Sequence, residues 1–226
     1  MFKNNQLLWA VLGVVIVIIV AAAAYFASLG STPGANLGKL NREVDATDWR
    51  LGPATAKVTL VEYADFECPA CAAYAPVVKQ LLAAYPNDVA VVYRHFPLAQ
   101  HRSAKLAASY AEAAGRQGKF WEMNDRLFAT QSTWTTQTPA ENETYFNNLA
   151  KELALNLTTL QTDLKDPAIM AKITSSYAEG EASGVDSTPT FFLNGVQISN
   201  PRSENDFKVL IDALLASSTV ATTTAL

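Results

Sequence analysis

Val61 to Cys71 reads VEYADFECPAC, an apolar, β-branched run that gives way to two cysteines separated by Pro69 and Ala70. Taken back to Lys57, the run is apolar enough for a buried strand over Lys57 to Phe66, and Pro69 to Tyr85 follows as a helix stopped by Pro86. Cys68 then falls at the helix cap, its sulfur facing free backbone N–H groups that stabilise a thiolate. Pro69 suits the first helical position, where its missing N–H would have no partner in any case. Cys71, three residues on, lies above Cys68 on the same face and can close a small ring with it. A dithiol so placed exchanges disulfides: Cys68 attacks or is attacked, and Cys71 resolves the mixed disulfide. Two other readings stay open. The pair could form a purely structural bridge, or it could bind a metal together with His95 and His101, the only histidines in the chain. The spacing from Cys71 to His95 is longer than in common Cys₂His₂ sites, and the two histidines border different elements.

Beyond the helix, Asp88 to Phe96 reads as a second strand, so strand, helix and strand form a right-handed βαβ unit with a parallel pair. Ser103 to Ser183 loses strand character and shows helical spacings such as Phe120, Met123 and Leu127. Thr190 to Leu193 and Val196 to Ser199 flank Asn194-Gly195, a hairpin signal because both residues tolerate positive φ. A last helix begins near Ser203. The order is β-α-β, helical block, β-β-α, an α/β plan with one mixed sheet.

At the amino terminus, Leu7 to Leu29 is an almost unbroken apolar run, with no charge between Lys3 and Lys39. A helix of that length spans a bilayer, which makes residues 1–29 a membrane anchor; a cleaved signal peptide is the competitor, with Ala21 to Ala24 as its cleavage region. Gly30 to Gly38 is a spacer by composition, and Ser217 to Leu226 a Ser/Thr/Ala tail without a packing pattern. The folded part is then about Lys39 to Ala216. The chain has 226 residues, with 17 basic against 21 acidic, so no basic excess exists to neutralise phosphates and a nucleic-acid partner is excluded. Two cysteines cannot be a disulfide scaffold, and none follows the apolar run to carry a lipid.

The run VEYADFECPAC, the helix after it, the helical block with RHFPLAQHRSAKLAASYAEAA and GKFWEMNDRLF, and the later Ser187-Thr188-Pro189-Thr190 together resemble the DsbA-like branch of the thioredoxin superfamily. The resemblance covers about Trp49 to Ala216, leaving residues 30–48 as linker and placing a helical insertion at about 101–183. It implies a thioredoxin fold with a helical insertion domain, preceded by an N-terminal transmembrane helix. Residue by residue, Cys68 matches the exposed nucleophile and Cys71 the buried resolving cysteine. Glu62, six positions before Cys68, matches the buried acid beneath the disulfide. By alternation its side chain shares a face with Leu60 and Ala64, so a raised pKa and a role as proton acceptor for Cys71 are expected; a solvated face is the other reading. Pro189 corresponds to the cis-proline facing the disulfide. Thr188, Pro69 and Ala70 correspond to positions that contact substrate, Thr188 by pairing its backbone with an extended segment. Pro76 matches the kink position of the first helix.

The middle pair departs from the best-known oxidase motif, Pro-His there and Pro-Ala here. A helix terminus supplies about 0.3–1 kcal/mol, whereas lowering a cysteine pKa by two units needs about 2.7 kcal/mol, so the terminus alone falls short. A thiolate less stabilised than in a Pro-His enzyme is expected unless other donors compensate. Asp65 and Glu67 look like loop positions that would oppose ionisation of Cys68 if close to it. The sequons at Asn142 and Asn156 are short enough to arise by chance, and no function is assigned to them.

The expected function is that of a membrane-anchored thiol-disulfide oxidoreductase, its domain outside the cytoplasm, introducing disulfides into reduced or unfolded exported proteins. A membrane thiol oxidase or quinone-linked partner would reoxidise it, and no prosthetic group or metal is implied. The alternatives are a reductase or isomerase on the same fold, and a tethered metal-binding or chaperone-like module without turnover.

Overall fold

The computed structural model describes residues 38–223. The N-terminal apolar run, read above as anchor or signal, lies outside these residues with most of the spacer; among the described residues no helix is long and apolar enough to cross a membrane.

The first strand, β1 (Trp49–Leu51), precedes the expected unit of β2 (Val58–Ala64), helix α1 (Pro69–Ala84) and β3 (Val89–His95). The inserted block holds α2 (Ala104–Arg116), α3 (Phe120–Ala129), the single turn α4 (Gln131–Trp134), α5 (Pro139–Glu152), α6 (Leu157–Asp163) and α7 (Pro167–Ala182). The chain returns to the sheet with β4 (Thr190–Leu193) and β5 (Val196–Ile198) and closes with α8 (Glu204–Thr223). The sheet order is β1-β3-β2-β4-β5. β2 and β3 are parallel, from Val58 opposite Val89 to Ala64 opposite His95, and the other pairs are antiparallel. The mixed α/β sheet with its inserted helices is as expected.

Both sheet faces are covered, which is why β2 and β3 read as continuous apolar runs. Val58, Leu60, Val91, Phe191 and Leu193 pack beneath α1 and α8, against Val78, Leu81, Phe207 and Ile211. Val61, Tyr63, Val92 and Phe192 face the other way, toward Tyr177 of α7 and Leu40 and Val44 of the leading segment. The inserted helices have their own core around Tyr110, Phe120, Leu127, Trp134 and Phe146, and this core reaches Cys68 and Cys71. Local signals set the helix starts. Thr138 and Glu141 form a capping box before Pro139, and Asp166 caps α7 before Pro167. Asn156, in one of the two sequons, is the N-cap of α6.

Three boundaries depart from the sequence reading. β1 was not foreseen, because three residues carry no period; tertiary contacts hold it instead, with Trp49 stacked on Phe120 at 4.6 Å and donating from Nε1 to Glu112 at 2.6 Å. Gly115 makes room for that indole, since a Cβ there would lie 2.4 Å from it. The stretch 38–48, expected as linker, belongs to the domain. Leu40 N–H donates to the Gly195 carbonyl at 2.9 Å, and Asp48 receives both Arg42 and the buried Arg94. Finally, α8 runs through Thr223, so most of the expected tail is helix: alanine, serine, threonine and valine continue a helix without leaving a tertiary pattern.

Candidate active site

α1 starts abruptly because Cys68 occupies its cap in an extended conformation (φ −75°, ψ 121°) and Pro69 opens the first turn. Cys68 makes no side-chain cap bond, so backbone N–H groups of the first turn remain for its sulfur. Both cysteines are reduced and buried, Cys71 completely and Cys68 to 7% exposure. The Thr188–Pro189 bond is cis, and the Thr188 carbonyl accepts from the Cys68 thiol at 3.3 Å. β4 and α1 thus bring Thr188, Pro189 and Cys68 together although 120 positions separate Thr188 from Cys68.

The two thiols are driven in opposite directions. Cys68 is pulled down to about 5, first by a hydrogen bond from the Cys71 thiol, then by the Thr188 side chain and the backbone N–H groups of Cys71 and Ala70, all against the cost of burial. Cys71 is pushed far up by burial, by donating to Cys68, and by the charges of Glu62 and Cys68. Donors other than an imidazole therefore compensate in part for alanine at position 70, and the largest is the second cysteine.

Glu62 lies beneath the pair on the sheet face covered by α1, 5% exposed, its carboxyl pushed up to about 8 by burial and then by the Cys68 charge. No described residue bonds its Oε1, and the same holds for the hydroxyl of Tyr93, directly across on β3.

Asp65 and Glu67 do other work than the loop positions suggested. Asp65 accepts from Glu67 N–H at 2.7 Å and Leu98 N–H at 2.8 Å, and shares a 2.7 Å hydrogen bond with His101 Nδ1. Glu67 Oε2 accepts from Ser103 N–H at 2.6 Å. The two acids thus tie the β2–α1 loop to the start of the inserted block. Gln131 of α4 clamps the same loop from the insertion, donating from Nε2 to the carbonyls of Phe66 (2.8 Å) and Cys68 (2.9 Å). No sequence signal marks Gln131, because its partners are main-chain groups 63 and 65 positions away. His95 faces Glu112 at 2.8 Å, so neither histidine turns to the cysteines, and among the described residues no group of three or more His, Cys, Asp or Glu is placed to hold a metal ion.

A helix-capping CxxC facing a cis-proline, on a β-α-β, inserted helices, β-β-α plan, defines the class: a thioredoxin fold with a thiol-disulfide exchange site. Residues 45–213 match the sequence profile of the family described as Thioredoxin. Among solved structures, a thioredoxin-like oxidoreductase from Silicibacter pomeroyi is 29% identical with a TM-score of 0.64, covering 75% of this chain and 92% of its own. Pseudomonas aeruginosa DsbA2 is 27% identical with a TM-score of 0.60, covering 76% of this chain and 95% of its own. Among curated relatives, the Na(+)/H(+) antiporter NhaA 3 of Salinispora tropica is 42% identical over 151 residues, 66% of this chain but 22% of that protein. The chain spans about a fifth of the length of such relatives. The chain belongs to the thioredoxin family, as a DsbA-like member.

Proposed function

We propose that this protein is an extracytoplasmic thiol-disulfide oxidoreductase that donates the Cys68–Cys71 disulfide to reduced exported proteins. The observation that carries this reading is the opposed pull on the two thiols, with Cys68 near 5 and Cys71 far above its ordinary range. A stabilised Cys68 thiolate favours the reduced protein, which makes the disulfide the stronger oxidant.

In the donating direction, a substrate thiolate attacks Cys68 Sγ, the Cys68–Cys71 bond breaks, and Cys71 leaves as a thiolate that takes a proton. Glu62, held protonated near neutral pH, is the group placed to supply it. A second substrate thiolate then attacks the substrate sulfur joined to Cys68; the substrate disulfide forms and Cys68 departs as the stable thiolate. Thr188, against Cys68, would pair its backbone with the extended substrate, and Pro69 and Ala70 would form the rim. The Leu7 to Leu29 run would anchor the domain at the membrane beside a membrane thiol oxidase or quinone-linked reoxidant. Partial similarity to a protein named as an ion antiporter, a kind that works within a membrane, supports that setting.

The reading is quantitative. Thioredoxin has a nucleophile near 7 and a potential of about −270 mV, and DsbA values of about 3.5 and −120 mV. Moving the nucleophile from about 7 to about 5 stabilises the thiolate roughly fifty-fold more at pH 7, equivalent to about 50 mV, which places this protein near −220 mV. Equilibration of the 226-residue chain with glutathione buffers, read by alkylation, tests it. A potential near −220 mV or higher supports donation, and one at or below about −270 mV makes the protein a reductase.

A further inference from the structure

A small cleft opens between α1 and α3 beneath the redox pair. Its inner wall holds Glu62 of β2, Tyr93 of β3 and Asn124 of α3, and its outer end Lys79 and Asp125. The three inner side chains are each more than nine-tenths buried, yet Glu62 Oε1, the Tyr93 hydroxyl and Asn124 Nδ2 bond no described residue. Buried polar atoms seldom stay unpaired, and these three are complementary: an amide donor, a hydroxyl that donates or accepts, and a carboxyl oxygen. The cleft offers about 60 Å³, where one water needs about 10–15 Å³ and two to four polar partners. Ala75, one turn beyond Cys71 on α1, lines the same space, and at the mouth Lys79 Nζ meets Asp125 Oδ2 at 2.5 Å, joining the two helices.

We propose that the cleft holds ordered water bonded by Glu62, Tyr93 and Asn124, and that this water carries the Cys71 proton between Glu62 and the surface at the Lys79–Asp125 pair. The inference rests on the reading of Glu62 as the proton partner of Cys71. Tyr93 and Asn124 act through the water and are positioning residues. When a mixed disulfide on Cys68 is resolved, the Cys71 thiol gives its proton to the Glu62 carboxylate. Its sulfur attacks Cys68 Sγ, the Cys68–Cys71 bond forms, and the bond to the departing thiol breaks, that sulfur leaving with the electron pair as a thiolate. Glu62 then passes the proton through the water to solvent. In the donating direction the same proton runs inward. The titratable groups facing Glu62 are Cys68 and Cys71 above it and Tyr93 beside it; its neighbour on β4 is Phe191, and Lys79 and Asp125 stand at the mouth. Burial raises both Glu62 and Tyr93, so neither is charged by default and water in the cleft solvates an acid in its neutral form.

The test follows resolution of the mixed disulfide between Cys68 and glutathione across neutral pH, for the wild-type chain, E62Q, Y93F, N124L, N124S and Y93F/N124L. The double variant lines the cleft with apolar groups. We expect it to resolve about tenfold more slowly, with the pH midpoint moved upward and the Cys68 titration unchanged. N124S, which keeps a hydroxyl, should stay within about twofold of wild type, and N124L should be slower than N124S. A packing role for Asn124 requires the reverse order, because leucine fills the space and serine leaves a void; that order overturns the proposal. Wild-type rate and midpoint in Y93F/N124L, with E62Q slowed, also overturn it while leaving the role of Glu62 intact. A wild-type rate in E62Q removes that role and the water path with it. As a second measure, a crystal structure of the wild-type chain should show water within hydrogen-bonding distance of Glu62 Oε1 and Asn124 Nδ2; a dry cleft at a resolution that shows buried water elsewhere overturns the proposal.

Discussion

Cys68 owes most of its acidity to its partner cysteine. The Cys71 thiol is the largest stabiliser of the Cys68 anion, and a hydrogen bond to a charged group contributes about 1.5–3 kcal/mol, so Cys71→Ala should raise the Cys68 pKa from about 5 by about one to two units. Thiolate absorbance against pH checks this; an unchanged midpoint would mean that the helix terminus and Thr188 suffice. Glu62 has the opposite relation to stability. Its folded pKa, about 8, lies above the ordinary 4.5, so the unfolded chain ionises first as pH rises. Its favourable contribution is complete below pH ~4.5 and lost by pH ~8. Glu62→Gln should therefore stabilise the reduced protein at pH ~8 by several kcal/mol, of order 4–5 at most, and make little difference at pH ~4, as denaturant titrations at the two pH values would read. The position of Glu62 was legible because alternation along β2 assigns it a face. The bonds of Asp65 were not, because Leu98 and His101, 33 and 36 positions away, supply two of its three donors.

At the level of elements, the well-marked pieces were those with local signals: β2 and β3 from their apolar runs, α1 from Pro69 and Pro86, the hairpin from Asn194-Gly195. Asn194 and Gly195 do take positive φ, at 46° and 82°. β1 had no such signal, since Trp49 is held by groups of α2 and α3 that only the folded chain brings near. Gly115 shows how tightly that seat is cut. Gly115→Ala would improve helix propensity in isolation, yet its Cβ meets the indole of Trp49 at 2.4 Å. The expected result is a net loss of about 1–3 kcal/mol with altered Trp49 fluorescence, measured by chemical denaturation. Equal or greater stability would mean that β1 moves aside at no cost.

Over the whole molecule, the domain is longer at both ends than its composition suggests. The leading segment is held by charge: Asp48, its carboxylate 3% exposed, receives Arg42 and Arg94, and the Arg94 side chain is itself 1% exposed. Breaking a buried pair from one side leaves the other charge uncompensated, so Asp48→Ala should cost about 3–5 kcal/mol, seen as a lower denaturation midpoint. A loss below about 1 kcal/mol would show that Tyr63 and the carbonyls of Arg42 and Glu43 hold Arg94 unaided. Such links were invisible beforehand because charge pairing across 46 positions leaves no periodicity. The same interior bears on how the protein comes into service. Its two cysteines, the only ones in 226 residues, are both reduced within a closed core, so apolar packing and ion pairs complete the fold with no covalent crosslink. A newly made copy needs no earlier copy to mature it, and its folding is decoupled from the oxidant supply that it would draw on. Starvation for oxidant would idle the protein without unfolding it, and activity would return as soon as the oxidant did.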